Sequence, residues 1–381
     1  MKKKFKLPSR NTILGLLLGV ALGILLVIQM EHFVPAGADD LQALGAIWLM
    51  LLAMYLAIFL HIPMHEAGHL IFGLATGYRF VSFRIFGLQL TLADGKIKLG
   101  FRSVAGTGGQ CLMAPPEMLD DKLPFLLYNL GGSIMNLLAG AVFLLFFLFG
   151  KKTGVFSFFC IAMAELGLFF ALANGIPMIT GGIPNDGSNA RSAAKNPAAR
   201  KALWLQLTIN KEISDGKRLK DLPDDWFVLP HEKDMDNPLV QATAAFVCSR
   251  LIDQGCYAEA AACIERLLSG EQKITGIYAN LLRCDLLCCE LVGENRSEVV
   301  GKLYTDELCR FMKSMKTSPS IARTEYIYAL MAEKDQKKTA AALEKFEKTA
   351  KIHPYPSDLL ADRELMAFAL QKAQSEVTNH G

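Results

Sequence analysis

Charge of one sign is what this 381-residue sequence has least of. Its formal net charge is only +3, and its Lys and Arg are scattered. Without a basic stripe the footprint of a nucleic-acid-binding protein is excluded. A disulfide framework is missing as well. The nine cysteines are an odd number, none forms a C-x-x-C pair, and seven of them follow Val240. That usage excludes a stapled secreted scaffold and fits a C-terminal half kept in a reducing cytosol. Cys284, Cys288 and Cys289 stand at helical spacing and read as buried small residues rather than a metal cluster. No small-residue cleavage site of the A-x-A kind follows the basic start MKKKFKLPSR. The apolar run from Thr12 to Met30 therefore reads as an uncleaved helix that enters from the cytoplasm, not as a signal peptide.

What the chain has in plenty is apolar residues, 52% of the total with a mean hydropathy of +0.27, and they are bunched into blocks. Bunching predicts an integral membrane protein. After the first run comes EHFVPAGADD, an external loop with acids and no Lys or Arg; a second segment then runs from about Leu41 to Thr76, with Asp39 and Asp40 placed to cap it. The third spans Pro124 to Gly150 and the fourth about Gly154 to Ile176, joined by KKTG as an antiparallel pair. Basic residues from Arg79 to Lys122 and from Arg191 to Lys201 put those flanks inside; Lys151 and Lys152 face outward, against the rule.

Between the second and third segments, Leu88, Leu90 and Leu92 alternate with polar or small residues, Asp94-Gly95 supplies a turn, and Ile97, Leu99 and Phe101 alternate again. This predicts a β-hairpin beside the membrane, either a packed cap or an edge for an extended peptide. Residues 201–236 are charged and read as an irregular linker, after which helical periodicity resumes. The expected organisation is an N-terminal helix and external linker (1–36), a membrane core (37–200), the linker (201–236) and a cytosolic all-α helical-hairpin domain (237–381). In the last, Gly255, Tyr257 and Ala260 match half of a tetratricopeptide pattern. Such a domain suits recruitment of a cytosolic protein partner.

Chemistry concentrates in HIPMHEAGHLIFG, His61 to Gly73. His65 and His69, at i and i+4 on a helix, project from one face and can share a metal; Glu66 can reach a water on that metal without ligating it. Leu41 to His65 is 24 residues, a descent of roughly 36 Å, so the histidines sit toward the cytoplasmic end of the hydrocarbon layer. Ionisable groups at that depth are costly and mark function. His61 reads as a bystander at a helix bend before Pro63. Two histidines leave a catalytic zinc one protein ligand short. NGIPMITGGIPNDG, at the inner end of the fourth segment, supplies Asp186, with Glu165 as the alternative.

H-E-A-G-H in a membrane helix, then Gly131-Gly132 and Asn136, then Asn174, Pro177 and Asp186-Gly187, looks like the site-2 protease family of intramembrane zinc metalloproteases. The resemblance covers about residues 41 to 190. It implies a three-helix core around Zn2+, with His65, His69 and Asp186 as ligands and Glu66 as general base. It further implies that Asn136 and Asn174 hold substrate or polarise its carbonyl, and that the hairpin guides an extended strand. Asn185 stands where the family has leucine or threonine, Asn174 and Asp186 are farther apart than in well-known members, and no PDZ-like domain is inserted. The expected activity is endoproteolysis of a transmembrane or membrane-anchored peptide near the cytoplasmic face of a bacterial cell membrane, in regulated proteolysis or peptide maturation. The competing expectation is a membrane scaffold or chaperone with a structural zinc; a transporter fits worse, because too few intramembrane carboxylates line a path.

Overall fold

In the computed structural model of the protein, residues 10–93, 95–101, 108–180, 183–270, 274, 276–353 and 355–380 are described. Residues 1–9 of the basic start and Asp94 of the expected turn lie outside them. The chain is mostly helical and falls into two compact units, Met1–Phe80 with Gly108–Lys195, and Val81–Thr107 with Asn196–Gly381.

The first unit is built on four helices long and apolar enough to cross a membrane: α1 (Arg10–Phe33), α2 (Asp40–Ala75), α3 (Phe125–Phe149) and α4 (Val155–Gly175). Asp39 starts α2 as expected, in a capping box: its carboxylate accepts from the Gln42 amide at 2.8 Å, and the Gln42 side chain accepts from the Asp39 amide at 3.2 Å. Helices α2, α3 and α4 pack on one another, and α1 lies against α4. Their shared core holds Leu26, Met50, Ala57, Phe158 and Met163. Most of the remaining apolar surface of α1 to α3 is exposed, as in Leu17, Trp48, Leu52 and Phe146, the arrangement of helices whose outer faces meet an apolar medium.

The second unit contains the hairpin, enlarged to an antiparallel meander. Strand β1 (Arg79–Ile85) leads into it, followed by β2 (Leu88–Ala93) and β3 (Lys96–Phe101). The registers pair Phe83 with Leu90 and Leu90 with Leu99. The apolar alternation is real, but its face points outward: Leu88, Ile97, Leu99 and Phe101 are all more than half exposed. The opposite, polar face is the buried one. Gln89 donates to Thr91 Oγ1 and to the Tyr355 hydroxyl, both at 3.0 Å, and Ser82 Oγ lies 3.2 Å from the same hydroxyl. Pattern alone gives which residues share a face, not which face is covered.

Strand β4 (Gly109–Ala114) returns to the first unit against α2; the short strands β5 (Ile179–Thr180) and β6 (Ile183–Pro184) lead to α5 (Asp186–Lys195), its last helix. The second unit resumes at Asn196, five residues before the expected start of the linker at 201. Asn196 caps α6 (Pro197–Ser214) by accepting from the Ala198 amide at 2.8 Å. The supposed linker is therefore helix as far as Ser214. Its Leu205, Ile209 and Ile213 recur every four residues and join Leu222, Phe227, Val247 and Tyr355 in a core, a stripe masked in the sequence by the Lys and Arg around it.

The remaining helices are α7 (Pro238–Asp253), α8 (Tyr257–Ser269), α9 (Gly276–Val292), α10 (Ser297–Leu303), α11 (Asp306–Ser314), α12 (Pro319–Tyr328), α13 (Gln336–Lys351) and α14 (Asp358–His380). Neighbours in sequence pack together, α7 on α8, α8 on α9 and α12 on α13. Cys284, Cys288 and Cys289 are buried in their common core as expected, and Ala260 is fully enclosed there.

Candidate metal centre

Two helices bring two histidines and one carboxylate to a point. His65 Nε2 lies 3.0 Å from Asp186 Oδ2, His69 Nε2 lies 3.4 Å from the same oxygen, and the two Nε2 atoms are 3.2 Å apart. The three side chains form a group able to hold a metal ion. Tetrahedral zinc with ligands at 2.0–2.1 Å has edges of roughly 3.3 Å, so these separations fit that ion.

Glycines let the backbones come this close. Gly68 on α2 and Gly131 on α3 face each other so tightly that a Cβ on either would run into the other's carbonyl group, and a Cβ on Gly132 would enter the His65 ring. The His65 and His69 rings meet edge to face, with centroids 4.8 Å apart. His69 Nδ1 donates to the Tyr128 carbonyl at 2.7 Å, which leaves its Nε2 as the bare nitrogen facing the cluster.

Asp186 is placed by a residue the sequence reading treated only as a departure. Asn185 uses its whole side-chain amide. Nδ2 donates to the Ala173 and Ile176 carbonyls at 2.8 and 2.7 Å, while Oδ1 accepts from the Met178 and Ser188 amides at 2.9 and 3.0 Å. One side chain thus closes the C-terminal end of α4 and caps the start of α5, where Asp186 sits. Gly187 completes the joint, since a Cβ there would strike the Gly175 carbonyl. The available signal was Asn before Asp-Gly-Ser at a helix start, hidden because the segment reads as a Gly-Pro loop.

Glu66 is buried beside the cluster on the next position of α2. The Cys111 backbone amide on β4 donates to its carboxylate, and Gly109 on the same strand leaves the room a Cβ would take from it. Tyr128 ties that strand to α3, its hydroxyl donating to the Cys111 carbonyl at 3.1 Å. Glu165, the alternative ligand, is elsewhere: Gln29 of α1 donates to it at 2.7 Å, so it plays no part in the cluster.

Of the two asparagines expected to meet substrate, Asn136 is fully buried, with its amide between the Nδ1 atoms of His61 and His65, 3.2 Å from each. Asn174 donates to the Phe170 carbonyl of its own helix at 3.0 Å, and among the described residues no side-chain bond joins it to the cluster. His61, read as a bystander, is 1% exposed and bonded at both ring nitrogens. No family model, no curated protein and no solved structure matches the chain.

Proposed function

We propose that the protein spans a membrane through α1 to α4 and acts there as an intramembrane zinc metalloendopeptidase, cutting a transmembrane or membrane-anchored peptide near the cytoplasmic face. The observation that carries the reading is the convergence of His65 Nε2, His69 Nε2 and Asp186 Oδ2 at 3.0–3.4 Å, with a carboxylate that is not part of the triad next to it. His65, His69 and Asp186 would hold the ion. Zinc bound there supplies a Lewis acid that polarises a peptide carbonyl and makes water acidic enough to attack it.

Glu66 takes the proton of the attacking water and returns it to the leaving amine. Its carboxylate is aimed by the Cys111 amide, so it does not have to be ordered during the reaction. Burial of His69 and Glu66 keeps bulk water out. A substrate helix must unwind to present its carbonyl, which favours segments weakened by Gly, Pro or Asn. On this reading the N-terminus and the second unit are cytoplasmic, and the membrane is a bacterial cell membrane. The helical second unit recruits a cytosolic partner or gates the substrate.

Glu66→Gln keeps the shape and removes the base. Comparing membrane peptides of cells carrying wild type and Glu66→Gln should show processing reduced by about 10²–10⁴-fold with zinc content unchanged. Undiminished processing would sink the protease reading and leave a metal-bearing scaffold.

A further inference from the structure

One buried chain of hydrogen bonds leads away from the metal cluster. His61 stands a turn before His65 on α2. Its Nε2 lies 2.9 Å from the Met163 carbonyl of α4, and its Nδ1 lies 3.2 Å from the Asn136 side-chain amide of α3. The other end of that amide lies 3.2 Å from His65 Nδ1. The ring is packed as well as bonded. It lies against Phe170, with centroids 5.7 Å apart, and a Cβ on Gly167 would press on its Cε1 and on the Asn136 carbonyl.

The directions of these bonds follow from donor and acceptor chemistry. A carbonyl only accepts, so His61 Nε2 carries a hydrogen. Among the described residues no carboxylate bonds to His61, and a second ring proton would bury a cation without a counter-charge. The ring is therefore neutral and its Nδ1 is a bare acceptor. As placed, the amide oxygen of Asn136 faces this nitrogen, acceptor against acceptor. A half-turn of the amide exchanges oxygen and nitrogen almost without moving them and removes the conflict. The amide NH2 then donates to His61, and its oxygen accepts from a hydrogen on His65 Nδ1. That hydrogen leaves His65 Nε2 bare, facing Asp186 and His69.

His69 needs no such device, because its Nδ1 faces a carbonyl directly. His65 faces an amide, whose two ends would select opposite tautomers. We propose that His61 is a positioning residue: by accepting from Asn136 it turns the amide oxygen toward His65 and fixes the tautomer in which His65 can ligate a metal. This rests on the metal site proposed above. Met163, His61, Asn136 and His65 thus form a relay of bond direction across α4, α2 and α3, ending at the cluster.

The test is zinc affinity of the full-length protein in detergent, measured by competition with a chromophoric chelator. His61→Leu, which keeps bulk and removes the acceptor, should weaken binding by about 10–100-fold. His61→Gln retains a donor and an acceptor and should keep most of the affinity. In an Asn136→Asp background the carboxylate accepts from His65 whichever way it is turned, so adding His61→Leu should cost little further. Equal losses from His61→Leu in both backgrounds, which a purely structural role or misfolding predicts, overturn the relay, as does wild-type affinity in His61→Leu. Zinc binding indifferent to His65→Ala would instead overturn the metal site itself, and the relay with it.

Discussion

Each unit of this protein buries one cluster of ionisable side chains, and the two are built on opposite principles. In the second unit Arg323, 4% exposed, stands between two carboxylates, donating to Asp362 at 2.6 Å and also to Asp285. The guanidinium meets a carboxylate on each side, though among the described residues its Nε has no partner, so the cluster carries its own counter-charges. In the first unit His65 Nε2, His69 Nε2 and Asp186 Oδ2 converge on one point, and on the proposed relay, with His69 Nδ1 donating to Tyr128 and His65 Nδ1 to Asn136, all three are acceptors. Such a set suits a bound cation. Buried charge alone therefore does not mark a functional site; what separates the two clusters is whether the cation is supplied by the chain itself.

The comparison can be broken from either side. The largest effect is expected at the Arg323 cluster: Arg323→Leu strands two buried carboxylates and should destabilise the second unit by about 3–5 kcal/mol. Trp204 and Trp226 lie in that unit and Trp48, the third tryptophan, does not. In a Trp48→Phe background fluorescence-monitored denaturation reads the second unit alone. Stability unchanged by Arg323→Leu would mean the carboxylates do not need that counter-charge.

The second effect sharpens the picture. Burial pushes the Asp362 carboxyl up to about 6, from an ordinary 3.8, with one guanidinium shared between two acids. Between those values the folded unit holds a proton that the unfolded chain has lost, so stability is full below about pH 4 and falls as pH rises to about 6, by roughly 3 kcal/mol in all. Asp362→Asn should flatten that slope in the same assay; an unaltered slope assigns it to another group. The smallest effect tests the His65 cluster. Gly132→Ala drives a methyl into the His65 ring and should weaken zinc binding about tenfold, equivalent to about 1.4 kcal/mol, without moving the second unit's transition. Undisturbed affinity would show that His65 has room to spare.

Much of the first unit was legible because its signals are local. The four apolar helices follow from composition, the Asp39 cap from a single residue type, and the pairing of His65 with His69 from helical spacing. Asp186, more than a hundred residues away, was reached by asking what a two-histidine site lacks. The misses were non-local. His61 looked idle because its partners, Met163 and Asn136, lie on other helices. The buried side of the meander was decided by Tyr355, over 250 residues downstream. Helix α6 was hidden by charge on its outer face, and Asn185 by a loop-like composition that ends in a helix cap.

The Asn185 joint has a consequence in mechanical terms. Its four bonds pin the end of α4 to the start of α5 with no free residue between pin and cluster, since Asp186 is the next in the chain. A tilt of α4 would therefore be delivered to Asp186 as displacement, where an unbonded loop would absorb it as slack. The carboxylate behaves as the short arm of a lever whose long arm is a helix of 21 residues.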